Sequence, residues 1–126
     1  MATARHWTGP YNHTTANAGL IIEGEDPTLW QSPRGSWHMV YERYTADHSR
    51  SGAHAFSASG LEDWTITPNA TWVTTTTVLD GGARVKLKKR ERYQIVLDAE
   101  GHPDMLFNGG AGAGHDESFN MVELFN

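Results

Sequence analysis

The chain has no cysteine. Disulfides, thiol catalysis and cysteine–zinc sites are therefore excluded. An excess of basic residues is also missing: Lys and Arg total 10 against 15 Asp and Glu, a formal net charge of -5. General affinity for nucleic acid or an anionic membrane is not expected of such a surface. No apolar run approaches the roughly 20 residues of a membrane-spanning helix. The opening MATARHWTGPYNHTT carries no apolar segment of the signal-peptide kind, which leaves a cytoplasmic location as the default expectation. The seven histidines form no H-x-x-x-H pair, so neither a metal site nor a cofactor is expected. No window offers an apolar helical stripe with caps.

What the chain does contain is β-forming. At 126 residues it has the length of a single domain, and 38% hydrophobic with 20% charged residues suits a globular protein. Five tryptophans point to a packed β core, a sugar-binding surface, or both. Strands are predicted at 20–23, Trp37–Tyr44, Ala53–Ser59, Trp64–Thr67, Thr71–Leu79, Arg84–Lys88, Gln94–Leu97, Met105–Phe107 and Phe119–Phe125. Asp80-Gly81-Gly82 supplies a tight hairpin turn, since glycine accepts the positive φ it demands. The run Gly109–Gly114 reads as too glycine-rich to be regular.

The stretch Gly24–Tyr44 organises the rest: two adjacent acids, Glu25 and Asp26, precede a short apolar run, a Pro33–Gly35 turn and a second apolar run. A shift of 66 residues lays it on a second segment, matching Glu25 to Glu91, Leu29 to Ile95, Gly35 to Gly101 and Met39 to Met105. Both segments read as acid, strand, glycine turn, strand. Such an echo suggests radially repeated β-meanders. The expected fold is thus all-β, built of antiparallel four-stranded blade-like meanders: a partial β-propeller of about two blades plus an N-terminal lead-in.

Acids opening the inner strands of two blades would converge on one axial pocket. Glycoside hydrolysis uses a carboxylate pair of this kind, about 5–5.5 Å apart for retention and about 6.5–9.5 Å for inversion. The ordered motifs W-x-G-P-Y, E-D-P-x-L-W, G-x-W-H-M, G-A-H-A-F-S-x-S-G and R-E-R-Y-Q-I-V-L-D-x-E-G-x-P-x-x-L-F-N-G run from Trp7 to Gly109. In them the chain resembles the five-bladed β-propeller glycoside hydrolases, the superfamily of arabinanases, xylosidases and invertases. The resemblance implies that Asp26 positions substrate and tunes the acid, and that Glu91 is the general acid. Trp30, His38, His54 and Arg92 join them as candidate substrate-binding residues. Tyr93 stands where relatives usually have proline, and no acid precedes Glu23 to serve as the family's base or nucleophile.

Two functions from different classes follow as expectations. One is a carbohydrate-binding, glycoside-hydrolase-like protein whose hydrolysis requires an oligomer to complete the site. The other is a catalytically silent β module for sugar binding or oligomeric scaffolding. Both expect carbohydrate as partner and a homo-oligomer, a dimer first, because isolated blades leave open edges. Plainer readings stand beside each residue: Asp26 as a turn acid before proline, Glu91 as an ion-paired strand residue, the histidines as hydrogen-bonded core.

Overall fold

The computed structural model describes residues 2–13, 24–44, 50–61, 63–68, 72–112 and 118–125. The strand expected at 20–23 lies outside them. Ten strands are described: β1 (Ala2–Thr3), β2 (Asn12–His13), β3 (Glu25–Gln31), β4 (Trp37–Tyr44), β5 (Arg50–Ser57), β6 (Thr65–Ile66), β7 (Thr76–Val78), β8 (Arg84–Leu97), β9 (Pro103–Gly112) and β10 (Ser118–Leu124). Strands β1 and β2 pair with each other; the other eight form one sheet in the order β10-β9-β8-β5-β4-β3, with β6 added to β5 and β7 to β8. No described helix is long and apolar enough to cross a membrane.

Three strand expectations change. The Thr-rich run shrinks to Thr76–Val78, because Val73 first turns aside to bridge Gly52 of β5. Arg84–Lys88 and Gln94–Leu97 are one long β8, in which a bulge around Arg92 absorbs the break. The glycines of β9 are regular after all. A Cβ on Gly110 would come within 3.0 Å of Met121 Sδ and of the Phe119 ring, so the glycine lets β10 pack closely.

The larger correction is architectural. Separate propeller blades do not hydrogen-bond to one another edge to edge, whereas here β5 pairs in parallel with β8 through Arg50 and Lys89. That link joins both meanders into one mixed sheet curled as a half-barrel. The curl is visible in contacts that skip strands: the Thr28 hydroxyl of β3 donates to the Tyr93 carbonyl of β8, although β4 and β5 lie between them in the sheet. The partial-propeller fold, and with it the glycosidase-superfamily resemblance, is therefore overturned. Both functional expectations built on it, glycoside-hydrolase-like sugar binding and the silent sugar-binding or scaffolding module, lose their scaffold.

The 66-residue echo survives as something smaller. Ser32 N–H donates to Ser36 O at 2.8 Å in one hairpin, and Asp98 N–H to His102 O at 2.8 Å in the other. Gly35 and Gly101 take φ of 88° and 87° in the two turns. The repeat is a bulged hairpin, not a blade.

Strand alternation sorts the core into two layers. Trp30, Val40, Val73, Tyr93 and Leu106 fill the concave side of the curl. Met39, Tyr41, Ala53 and Ala55, with Trp64 against them, occupy the opposite face of β4 and β5.

Candidate functional site

Successive residues of a regular strand point to opposite faces, which would separate Glu25 from Asp26. Asp26 instead adopts φ of 50°, and the β3–β4 register slips between Glu25 and Thr28. This bulge turns both acids to one side. Glu42, the β4 partner of Glu25, meets them there, and one carboxylate oxygen from each of the three lies within 4.8 Å of the others. The second hairpin repeats the device 66 residues on. Arg92 has φ of 58°, and the register slips between Glu91 and Gln94. Left-handed backbone at a non-glycine residue costs on the order of 1–3 kcal/mol, so two such residues face to face mark a site held in place by its surroundings.

Arg50, the first residue of β5, sits at the centre. Its Nη1 lies 2.8 Å from Glu42 Oε1, 3.0 Å from Glu91 Oε2 and 3.5 Å from Glu25 Oε1. Its guanidinium carbon stands 4.9 Å above the Tyr44 ring, and the Tyr44 hydroxyl donates to Glu25 Oε1 at 2.6 Å. Glu91 also receives Lys89 Nζ at 2.9 Å and Arg92 Nη1 at 3.1 Å. Arg92 Nε reaches Asp26 Oδ2 at 3.8 Å, which joins the two bulges.

The two buried carboxylates are driven apart. Burial raises the Glu42 pKa, Arg50 pulls it down, and the negative charges of Glu91 and Glu25 add to the rise. Burial alone would also raise Glu91, but the hydrogen bond and charge of Lys89, with Arg92 and Arg50, hold it below its ordinary value. Glu42 is fully buried, and neither of its oxygens has a hydrogen bond: Arg50 is at ion-pair distance but not aligned to donate. Glu25 and Asp26 remain open to solvent, as does Arg92.

At the other end of the same face lies an aromatic and imidazole cluster. The Trp30 indole stacks on the His38 ring at 5.1 Å and 17°. His38 Nδ1 is 3.0 Å from His54 Nε2, and His54 Nδ1 is 2.9 Å from Thr67 Oγ1. Burial lowers both histidine pKa values, His54 further through the charge of His38. Neutral His54 therefore donates through one nitrogen and accepts through the other. Glu42 and His38 are four residues apart on β4, about 13 Å at the usual strand rise.

The six candidate residues thus do not converge on one pocket. Asp26, Glu91 and Arg92 share the ionic end; Trp30, His38 and His54 share the aromatic end; Val40, Tyr93 and Leu106 fill the space between. Three residues of the ionic end escaped sequence reasoning: Glu42, Arg50 and Tyr44. Alternation of His38, Val40 and Glu42 along β4 was a signal for the first. The parallel β5–β8 link that brings Arg50 to Glu91 left no local signal, whereas Lys89 reaches Glu91 from two residues away on the same strand. Glu25, Asp26 and Glu42 present oxygen donors only, a set that suits a hard divalent cation rather than zinc or copper. Comparison with known protein families, characterised proteins and solved structures finds no match to this chain.

Proposed function

We propose that the protein is a divalent-cation-binding β module, with calcium as the favoured ion and Glu25, Asp26 and Glu42 as its protein ligands. One observation carries the reading: the fully buried Glu42, whose Oε1 pairs with Arg50 and whose Oε2 has no hydrogen bond, converges with two solvent-open acids. Arg50 offsets one charge there, and the negative charge left on three converging carboxylates is what a divalent cation would offset. The 4.8 Å limit on the three oxygens is also the right size. Calcium binds oxygen at about 2.4 Å, so two ligands across the ion stand no further apart than about twice that distance. Arg50 contacts Glu42 Oε1, which leaves Oε2 for the ion. Water from solvent completes the coordination on the open side. Because Glu42 has a raised pKa, the ion competes with a proton there, and affinity rises with pH until Glu42 is ionised.

Calorimetric titration of the protein with CaCl2 at pH 7.5 tests the reading. Saturable binding at one site that Glu42→Gln abolishes supports it; unchanged binding in Glu42→Gln, or none in the parent, defeats it.

The opposed shifts of Glu42 and Glu91 favour a second reading. Carboxylates whose environments separate their pKa values are the usual basis of acid–base chemistry. In that case Glu91 is the ionised base, Asp26 the solvent-facing group that orients a substrate, and Glu42 the proton reservoir behind Arg50. Carboxyl-carbon NMR titration decides its premise: Glu42 and Glu91 must titrate on opposite sides of the ordinary glutamate value, and coincident midpoints remove the reading.

A further inference from the structure

Away from the acid cluster, a cavity of about 390 Å³ opens between residues 72–78, the β8–β9 pair and the end of β10. Its size falls within the roughly 300–1,000 Å³ typical of small-molecule sites. One wall is aromatic: Trp72 and Phe125 stack at 5.6 Å and 28°, both partly open to solvent. The polar wall is Arg90, only 2% exposed although it carries a permanent charge. Its Nη2 donates to Asn108 Oδ1 at 2.6 Å, while its Nε has no partner.

The remaining charge contact shows what the cavity is built to hold. Glu123 Oε1 receives Arg90 Nη1 at 3.0 Å and the Thr77 hydroxyl at 3.0 Å. Two donors from different strands therefore converge on a single carboxylate oxygen. The group that occupies the position is loosely held: Glu123 is 39% exposed and next to the last residue of an edge strand. Swinging it into water breaks its pair with buried Arg90, and an incoming carboxylate at the same position restores that pair while Arg90 and Thr77 stay in place.

We propose that the cavity binds a small monocarboxylate with an aromatic or branched apolar body. The carboxylate takes the position of Glu123 between Arg90 and Thr77, and the apolar body lies against Trp72 and Phe125. Charge-assisted bonds to a buried guanidinium supply the specificity for an anion, and burial of the body supplies the affinity. The site is independent of the cation ligands, so either proposal can fail without the other.

The test uses 2-naphthylacetate and its neutral amide, followed on the indole N–H NMR signal of Trp72, which is assigned by its loss in Trp72→Phe. The acid should move that signal saturably, and the amide should bind at least tenfold more weakly. Glu123→Gln removes the internal competitor at constant size, so it should tighten binding of the acid at least fivefold and leave the amide unaffected. Thr77→Val should weaken binding of the acid without unfolding the protein. Equal binding of acid and amide, no movement of the Trp72 signal, or unchanged or weaker acid binding in Glu123→Gln overturns the proposal.

Discussion

Replacing Arg50 by methionine tests how the ionic end is held together. The substitution keeps most of the aliphatic stem and removes the guanidinium, which stands over Tyr44 and contacts Glu42, Glu91 and Glu25. Glu91 keeps Lys89 and Arg92, so its loss is partial. Glu42 keeps nothing. Stranding one partner of a buried ion pair costs about 3–5 kcal/mol. Arg50 itself is 31% exposed, and water entering the space it leaves reduces that cost to about 2–3 kcal/mol. For a chain of this length the melting temperature should fall by roughly 6–12 °C. The loss must also depend on pH. Removing Arg50 lifts the Glu42 pKa further above its unfolded value, so the variant loses stability as pH rises from that unfolded value through the raised folded one. The gap between parent and Arg50→Met is therefore widest near pH 8 and narrows towards pH 4.5. Adding Glu42→Gln to Arg50→Met should recover at least about half of the loss, the usual sign of direct coupling. Thermal and urea melts across this pH range read all three effects. A loss below about 1 kcal/mol, or one constant from pH 4.5 to 8, refutes the buried-charge account.

Both histidines have folded pKa values below their ordinary value, so their contribution is complete above pH 6.5 and is lost as pH falls through that point towards the folded values; His54→Gln should flatten the stability curve between pH 6.5 and 5. Gly52→Ala puts a Cβ 2.8 Å from Val73 Cβ and 3.0 Å from Tyr93 Cζ, which should cost about 2–3 kcal/mol in a urea melt. Among the described strands the sheet path ends at β3 and β10, and β10 exposes Phe119, Val122 and Leu124 beside an edge that no described strand covers; on this basis we propose a homodimer, seen by analytical ultracentrifugation and dissociated by Val122→Lys.

Local chemistry made most strands legible. The weakly alternating, β-rich WHMVYERY, the alternation of AHAFSAS and the Asp80-Gly81-Gly82 turn all have counterparts in the structure. The repeated acid–strand–glycine unit was legible too, although the left-handed backbone that follows each acid, at Asp26 and Arg92, was not. What that repeat builds was not. Radial blades and a curled sheet use the same hairpins and differ in whether the two meanders pair, which here rests on the single contact of Arg50 with Lys89. A sequence carries no local mark of so short a parallel pairing. The same gap explains the site. Asp26 and Glu91 stand out because each opens a motif, whereas Glu42 and Arg50 look like ordinary residues of the β4–β5 hairpin until the β5–β8 pairing brings Glu91 to them.

A crystal structure of the protein grown in CaCl2 decides whether the acid cluster holds a cation. An ion is expected at about 2.3–2.6 Å from one oxygen each of Glu25, Asp26 and Glu42, with Arg50 retained on the other Glu42 oxygen. A structure in which these three carboxylates hold no ion at millimolar calcium, and Glu42 faces Arg50 alone, contradicts the cation reading.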